Sequence, residues 1–170
     1  MSQCKNVRGD NIRILAIDQA KTTGYAVFED DVLVDYGTIE LGKKTDKYES
    51  ILYSARQKIG WLMDKIKPDK VVIEDIQQQN QNVSTYKKLA MLMGVLISLF
   101  LENNTLHDIV PPARWKSYCG IKGQKRQEQK DNTELFVQEK FGLTDVTEDE
   151  ADSISLGFFA CNKICLIEER

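Results

Sequence analysis

Two short runs of aliphatic residues each end in a carboxylate: Arg13-Ile14-Leu15-Ala16-Ile17-Asp18 and Val71-Val72-Ile73-Glu74. Runs that are apolar on both faces belong at the centre of a sheet covered on two sides. The chain is thereby constrained to a layered α/β architecture. A carboxylate at the end of such a strand leaves the dry core and can meet solvent, a metal or a substrate. Near the C-terminus Asp149 and Asp152 stand about one turn apart on one face of a predicted helix. Three elements can therefore bring four carboxylates to one point, as a two-metal phosphodiester-cleaving site requires.

The remaining pattern agrees with such layers. Residues 12–18, 24–29 and 32–40 read as strands, the last two joined as a hairpin by Asp30-Asp31. Ile51, Leu52, Ala55, Ile59, Leu62, Met63 and Ile66 recur at helical spacing until Pro68 stops the helix. Strand 70–74 follows at once. The amide run from Gln77 to Asn82 has no apolar period and reads as a loop. A helix is predicted over 83–102 with Leu89, Met93, Leu96, Ile97 and Phe100 facing inward, then a strand over 106–110. Pro111-Pro112 forces an extended exit, followed by a short helix and Gly-flanked loop over 113–123. A charged helix over 124–141 is anchored by Leu135, Phe136 and Phe141. In the last helix Thr147 as N-cap and Glu150 three residues on form a capping box, and Ala151, Ile154, Phe158 and Phe159 face the sheet. The expected fold class is α/β, a central five-stranded mixed sheet flanked by helices. One domain is expected over 1–170, with flexible tails at 1–10 and 165–170.

A net charge of −3 argues at first against a nucleic-acid partner, but the charge is segregated. Arg114, Lys116, Lys122, Lys125, Arg126 and Lys130 face a single acid, Glu128, between 111 and 130. Asp145, Glu148, Asp149, Glu150 and Asp152 follow with no base among them. A basic strip beside an acidic pocket suits an enzyme that holds a phosphate backbone and coordinates metal. Each acid also has a plainer reading: Asp18 begins a turn, Glu74 is a charged strand end, Asp149 complements a helix dipole, Asp152 faces solvent. Cys4, Cys119, Cys161 and Cys165 lack zinc-site spacing and the single His107 is remote, so buried free thiols are expected. No GxxxxGK[ST] loop is present, which argues against a P-loop ATPase. Met1 to Asn11 is polar and unlike a secretory leader, and the apolar stretch 89–101 is short for a membrane span. A cytoplasmic protein without membrane contact is expected.

In their order and spacing these motifs resemble the RuvC family of Holliday-junction resolvases, of ribonuclease H-like fold. The likeness runs from Ile12 to Lys163. It is carried by Ile14-Leu15-Ala16-Ile17-Asp18 with Thr23-Gly24-Tyr25-Ala26, by Val71-Val72-Ile73-Glu74, and by Asp149-Glu150-Ala151-Asp152-Ser153. Lys88-Leu89-Ala90 with Gly94, and Arg114-Trp115-Lys116 with Gly120, look like the family's middle helix and basic loop.

The resemblance implies that Asp18, Glu74, Asp149 and Asp152 are a catalytic, metal-binding tetrad for two Mg2+ ions, with Mn2+ able to substitute. Lys116 matches a basic residue near the scissile phosphate, and Lys125 or Arg126 a second. Gln77, Gln78, Tyr86, Arg114, Lys116, Lys122, Lys125 and Arg126 are expected to bind DNA. The implied partners are branched DNA (four-way junctions and forks) and a second copy in a homodimer, with the apolar helix 83–100 suited to an interface or to the core. The family often carries an aromatic soon after its second acid. Here Asp75-Ile76-Gln77-Gln78 stands instead, and Tyr86 could substitute. That departure favours broader branched-DNA cutting and resembles phage-type members, which would act in a bacterial host cell. Two other readings remain: a ribonuclease H-like RNA-processing nuclease similar to the YqgF group, and a noncatalytic branched-DNA-binding protein.

Overall fold

A computed structural model of the chain describes residues 12–43, 45–77 and 82–163. The predicted tails, Gln78, Cys4 and Cys165 lie outside the described residues. The elements run β1 (Arg13–Asp18), β2 (Thr22–Glu29), β3 (Val32–Glu40), α1 (Tyr48–Ile66), β4 (Lys70–Glu74), α2 (Val83–Glu102), β5 (Leu106–Val110), α3 (Pro112–Tyr118), α4 (Arg126–Phe141) and α5 (Glu148–Lys163). They build one five-stranded mixed sheet, in the order β3-β2-β1-β4-β5. The hairpin strands pair antiparallel, while β4 runs parallel to β1 and β5 parallel to β4. A parallel pair needs a crossover, which α1 and α2 supply.

Pleat alternation then sorts the side chains. Leu15, Ile17, Val71 and Ile73 face α1 and α2, in a core with Ile59, Leu62, Leu96 and Phe100. Ile14, Ala16 and Val72 face the other way, in a core with Trp115, Val137, Ile154 and Phe159 from α3, α4 and α5. Asp18 continues the Ile14–Ala16 parity and Glu74 continues that of Val72. Both carboxylates therefore fall on the α3–α5 side. The parallel register Ile17↔Ile73 sets the two strand ends next to each other.

Local chemistry accounts for the ends of the elements. Lys67 adopts the left-handed conformation, φ 51°, and its N–H caps Met63 O, so α1 closes just before Pro68. Asn82 accepts from Thr85 N at 3.2 Å to start α2. The capping box of α5 is reciprocal: Glu150 N donates to Thr147 Oγ1 at 3.3 Å, and Thr147 N donates to Glu150 Oε2 at 2.8 Å.

Several expectations need correction. β2 begins at Thr22, because its pairing with β3 extends to Glu40. In α2 it is Leu92, Met93, Leu96, Leu99 and Phe100 that are buried, with Leu89 and Ile97 half-exposed. Its stripe is rotated because β5 docks beside it and Phe100 meets His107, ring centroids 5.7 Å apart. Leu135 faces solvent, and Thr133 and Val137 anchor α4 instead. Phe158 is only half-buried, within an aromatic cluster with Phe136, Phe141 and Tyr118. Among the described residues α2 has the length and apolar content of a membrane span by composition, its Leu92, Leu96 and Phe100 packing on the sheet. Cys119 and Cys161 are free but half-buried rather than buried, and desolvation pushes both thiols up to about 12.

Candidate active site

Asp18, Glu74, Asp149 and Asp152 line one cleft of about 560 Å³ at the C-terminal ends of β1 and β4. Ligands of open α/β sheets gather at such strand ends. The start of α5 comes to this edge because Gly24, paired with Asp18 across β1 and β2, carries no side chain. A Cβ there would lie 1.9 Å from the carbonyl oxygen of Asp149. Farther along, a Cβ on Gly157 would lie 2.4 Å from the Phe28 ring. Two glycines thus let α5 lie flat on the sheet with its acidic first turn over the cleft.

The carboxylates bear strongly on one another. Asp18 is raised well above its ordinary value, first by burial and then by the charges of Glu74, Asp152 and Asp149, with Lys116 opposing. Glu74 is raised to about 7, by burial and then Asp152, against the Trp115 hydrogen bond and Lys116. Asp152 is raised to about 6 by burial, with Lys116 opposing and Glu148 and Asp149 adding. Asp149 is raised by burial and then Glu148, against Lys130. The cleft holds more negative charge than its cations offset.

Among the described residues no three acidic, His or Cys side chains are gathered closely enough to chelate an ion as they stand. The donor set nevertheless fits a hard divalent cation, since carboxylate oxygens are its preferred ligands. Gln19 adds to the fit. It is buried beside Asp18, donates to Glu74 O at 3.3 Å, and leaves its Oε1 without a hydrogen bond. An orphaned acceptor there is suited to water held in the cleft.

Of the residues expected to bind DNA, Gln77, Tyr86, Lys116 and Arg126 line this cleft. Lys122 instead lines an adjoining depression with Lys116 and Gln77. Arg114 points the other way, its guanidinium 5.5 Å from the centre of the Phe159 ring. Lys125 precedes α4 as an exposed residue outside the cleft. Lys116 Nζ donates to Gln129 Oε1 at 3.4 Å, and Lys130 and Arg126 pair with Glu148. Sequence reasoning assigned no site role to Gln19, Trp115, Gln129, Lys130 or Glu148. The basic strip signalled Lys130 and the acidic run Glu148. The others carry no signal short of the fold.

No protein-family model matches the chain. It is 28% identical over 152 residues to the crossover junction endodeoxyribonuclease RuvC of Akkermansia muciniphila, covering 86% of this chain and 88% of that protein. Among solved structures, Thermus thermophilus RuvC in complex with a Holliday junction substrate superimposes with a TM-score of 0.70 at 16% identity, covering 89% of this chain and 96% of that one. The yeast mitochondrial Holliday junction resolvase Ydc2 gives 0.63 at 16% identity, with 89% and 79% covered. The fowlpox virus resolvase, solved with Holliday junction DNA, gives 0.61 at 15% identity, with 90% and 99% covered. The resemblance read from the sequence therefore holds on both counts: the chain is similar to RuvC over most of its length and shares the ribonuclease H-like fold of the junction resolvases.

Proposed function

We propose that the chain is a structure-specific DNA endonuclease that nicks four-way junctions and other branched DNA, with Mg2+ as its metal and Mn2+ able to substitute. One observation carries this reading: four carboxylates from β1, β4 and α5 share a cleft walled by Lys116, Arg126 and Lys130. Acids alone would repel a nucleic-acid backbone, and bases alone would only hold it. The likeness to RuvC and to resolvases solved on junction DNA supports the substrate class.

Asp18, Glu74, Asp149 and Asp152 would hold the cations. The chemistry such a pair of ions would supply is activation of the attacking water and stabilisation of the leaving 3′ oxygen. The protein's own groups do the rest. Lys116, steadied by Gln129, is placed to offset charge that develops on the phosphate. Arg126 and Lys130 draw the backbone to the rim. Gln77 and Tyr86 sit at the mouth, an amide and a ring that can meet bases or sugars. Paired nicks require two such clefts, and we assign the second to another copy of this chain in a symmetric dimer.

Labelled four-way junction, fork and linear duplex, incubated with and without Mg2+, test the proposal against Asp18→Asn. Mg2+-dependent nicks in branched substrates, absent in Asp18→Asn, are expected. Full activity of that variant would remove the metal assignment, and binding without any cleavage would leave a noncatalytic DNA-binding protein.

A further inference from the structure

Trp115 is wholly buried, and its indole Nε1 donates at 2.7 Å to Oε2 of Glu74, one of the cleft carboxylates. The two residues are 41 positions apart and meet because β5 ends beside β4, Glu74 opposite Val110. The chain then turns at Pro111 into α3, which carries Trp115 back over the strand end. A buried indole N–H needs an acceptor, and a bond to a carboxylate is stronger than one to a neutral oxygen. With Oε2 held, Oε1 is the oxygen left to serve a cation or its water. The same ring has a second task. Lys116 Nζ lies 5.2 Å from the centre of the Trp115 ring, so the indole face helps to seat the ammonium that opposes the cleft's negative charge.

We infer that Trp115 is a positioning residue of the cleft: its N–H fixes the carboxylate of Glu74 and its ring face steadies Lys116. Phenylalanine in its place would keep most of the packing and a face for Lys116, but would leave Glu74 free to rotate. The effect on cleavage rests on the endonuclease reading above; the effect on metal binding does not.

The test compares wild type, Trp115→Phe, Glu74→Ala and the double variant. Single-turnover junction cleavage is followed across a Mg2+ titration, and Mn2+ binding is measured by calorimetry. Losing a group that orients a metal ligand costs on the order of 10–100-fold in activity or metal affinity, so Trp115→Phe should lose about 10-fold or more in one or both. Its affinity for the junction without divalent metal should stay at the wild-type level. In the Glu74→Ala background, where no acceptor is left for the indole N–H, Trp115→Phe should cost nothing further in Mn2+ affinity.

Wild-type rate and Mn2+ affinity in Trp115→Phe would overturn the inference. So would a loss carried undiminished into the Glu74→Ala background, or a wild type that binds no Mn2+. A wild type that binds Mn2+ but cuts no DNA would remove the endonuclease reading, and the Mn2+ comparison would still decide this one. Should Trp115→Phe fail to fold, benzothienylalanine at Trp115, in a Trp61→Phe background, replaces the N–H by sulfur at nearly constant shape. The same fold-change is then expected, and its absence overturns the inference.

Discussion

Glu74 and Asp152 titrate in the folded chain at about 7 and about 6, both raised first by burial. A carboxyl whose pKa rises on folding binds its proton more tightly when folded. The stability it contributes is complete below its unfolded pKa and is lost as pH climbs through the folded value. In a chelator, stability linked to this pair should therefore decline between roughly pH 4 and pH 7. From pH 5.5 to pH 8 the metal-free protein should lose roughly 5 °C in melting temperature, and Asp152→Asn should lose less. Excess Mg2+ at pH 8 should restore the loss, since a bound cation stabilises the ionised carboxylates. Thermal melts across that range check this, and a metal-free protein that is more stable at pH 8 would refute the overloaded cleft. The raised acids were legible as a group from Asp18, Glu74, Asp149 and Asp152, each at the end of a strand or the start of a helix. Gln19 and Trp115 were not, because the contacts that matter, to Glu74 in both cases, are made across 55 and 41 residues.

Among the elements, α5 shows how packing refines a local signal. Its start was readable from Thr147 and Glu150 alone. The approach of that start to the sheet depends on Gly24, where a methyl group would collide with the Asp149 carbonyl. Backbone cannot yield as a flexible side chain does. Gly24→Ala should therefore push back the first turn of α5, costing about 1–3 kcal/mol in stability. Cleavage should fall further than stability does, because Asp149 and Asp152 move with the turn. Denaturant melts beside cleavage rates check this, and wild-type cleavage by Gly24→Ala would show that the close approach is dispensable. The bounds of β4, α2 and β5 were readable to the residue from Pro68, Asn82 and Pro111. The face of α2 was not. A helix apolar almost all round carries no phase, so Leu92 and Leu99 turn inward only because the sheet and α1 lie on that side.

At the scale of the whole molecule, the proposed dimer has a surface to work with. Met91 and Leu101 on α2 are 48% and 62% exposed, and Leu106 on β5, the edge strand opposite β3, is 53% exposed. If a second copy covers this side, Met91→Glu with Leu101→Glu should yield a monomer that folds normally, since neither side chain is in the core. Sedimentation of wild type and variant checks this; a wild type that is already monomeric would end the dimer proposal. The presence of five strands, the stop of α1 before Pro68 and the capping box of α5 were determined by the sequence alone, because periods, caps and prolines act within a few residues of themselves. Tertiary structure decided that β4 lies parallel to β1, so that Asp18 and Glu74 become neighbours. It decided likewise that α5 closes over Gly24, and that the Trp115 indole reaches Glu74. These are contacts between residues tens of positions apart, set by how two hydrophobic faces of one sheet are covered, and no local pattern encodes that choice.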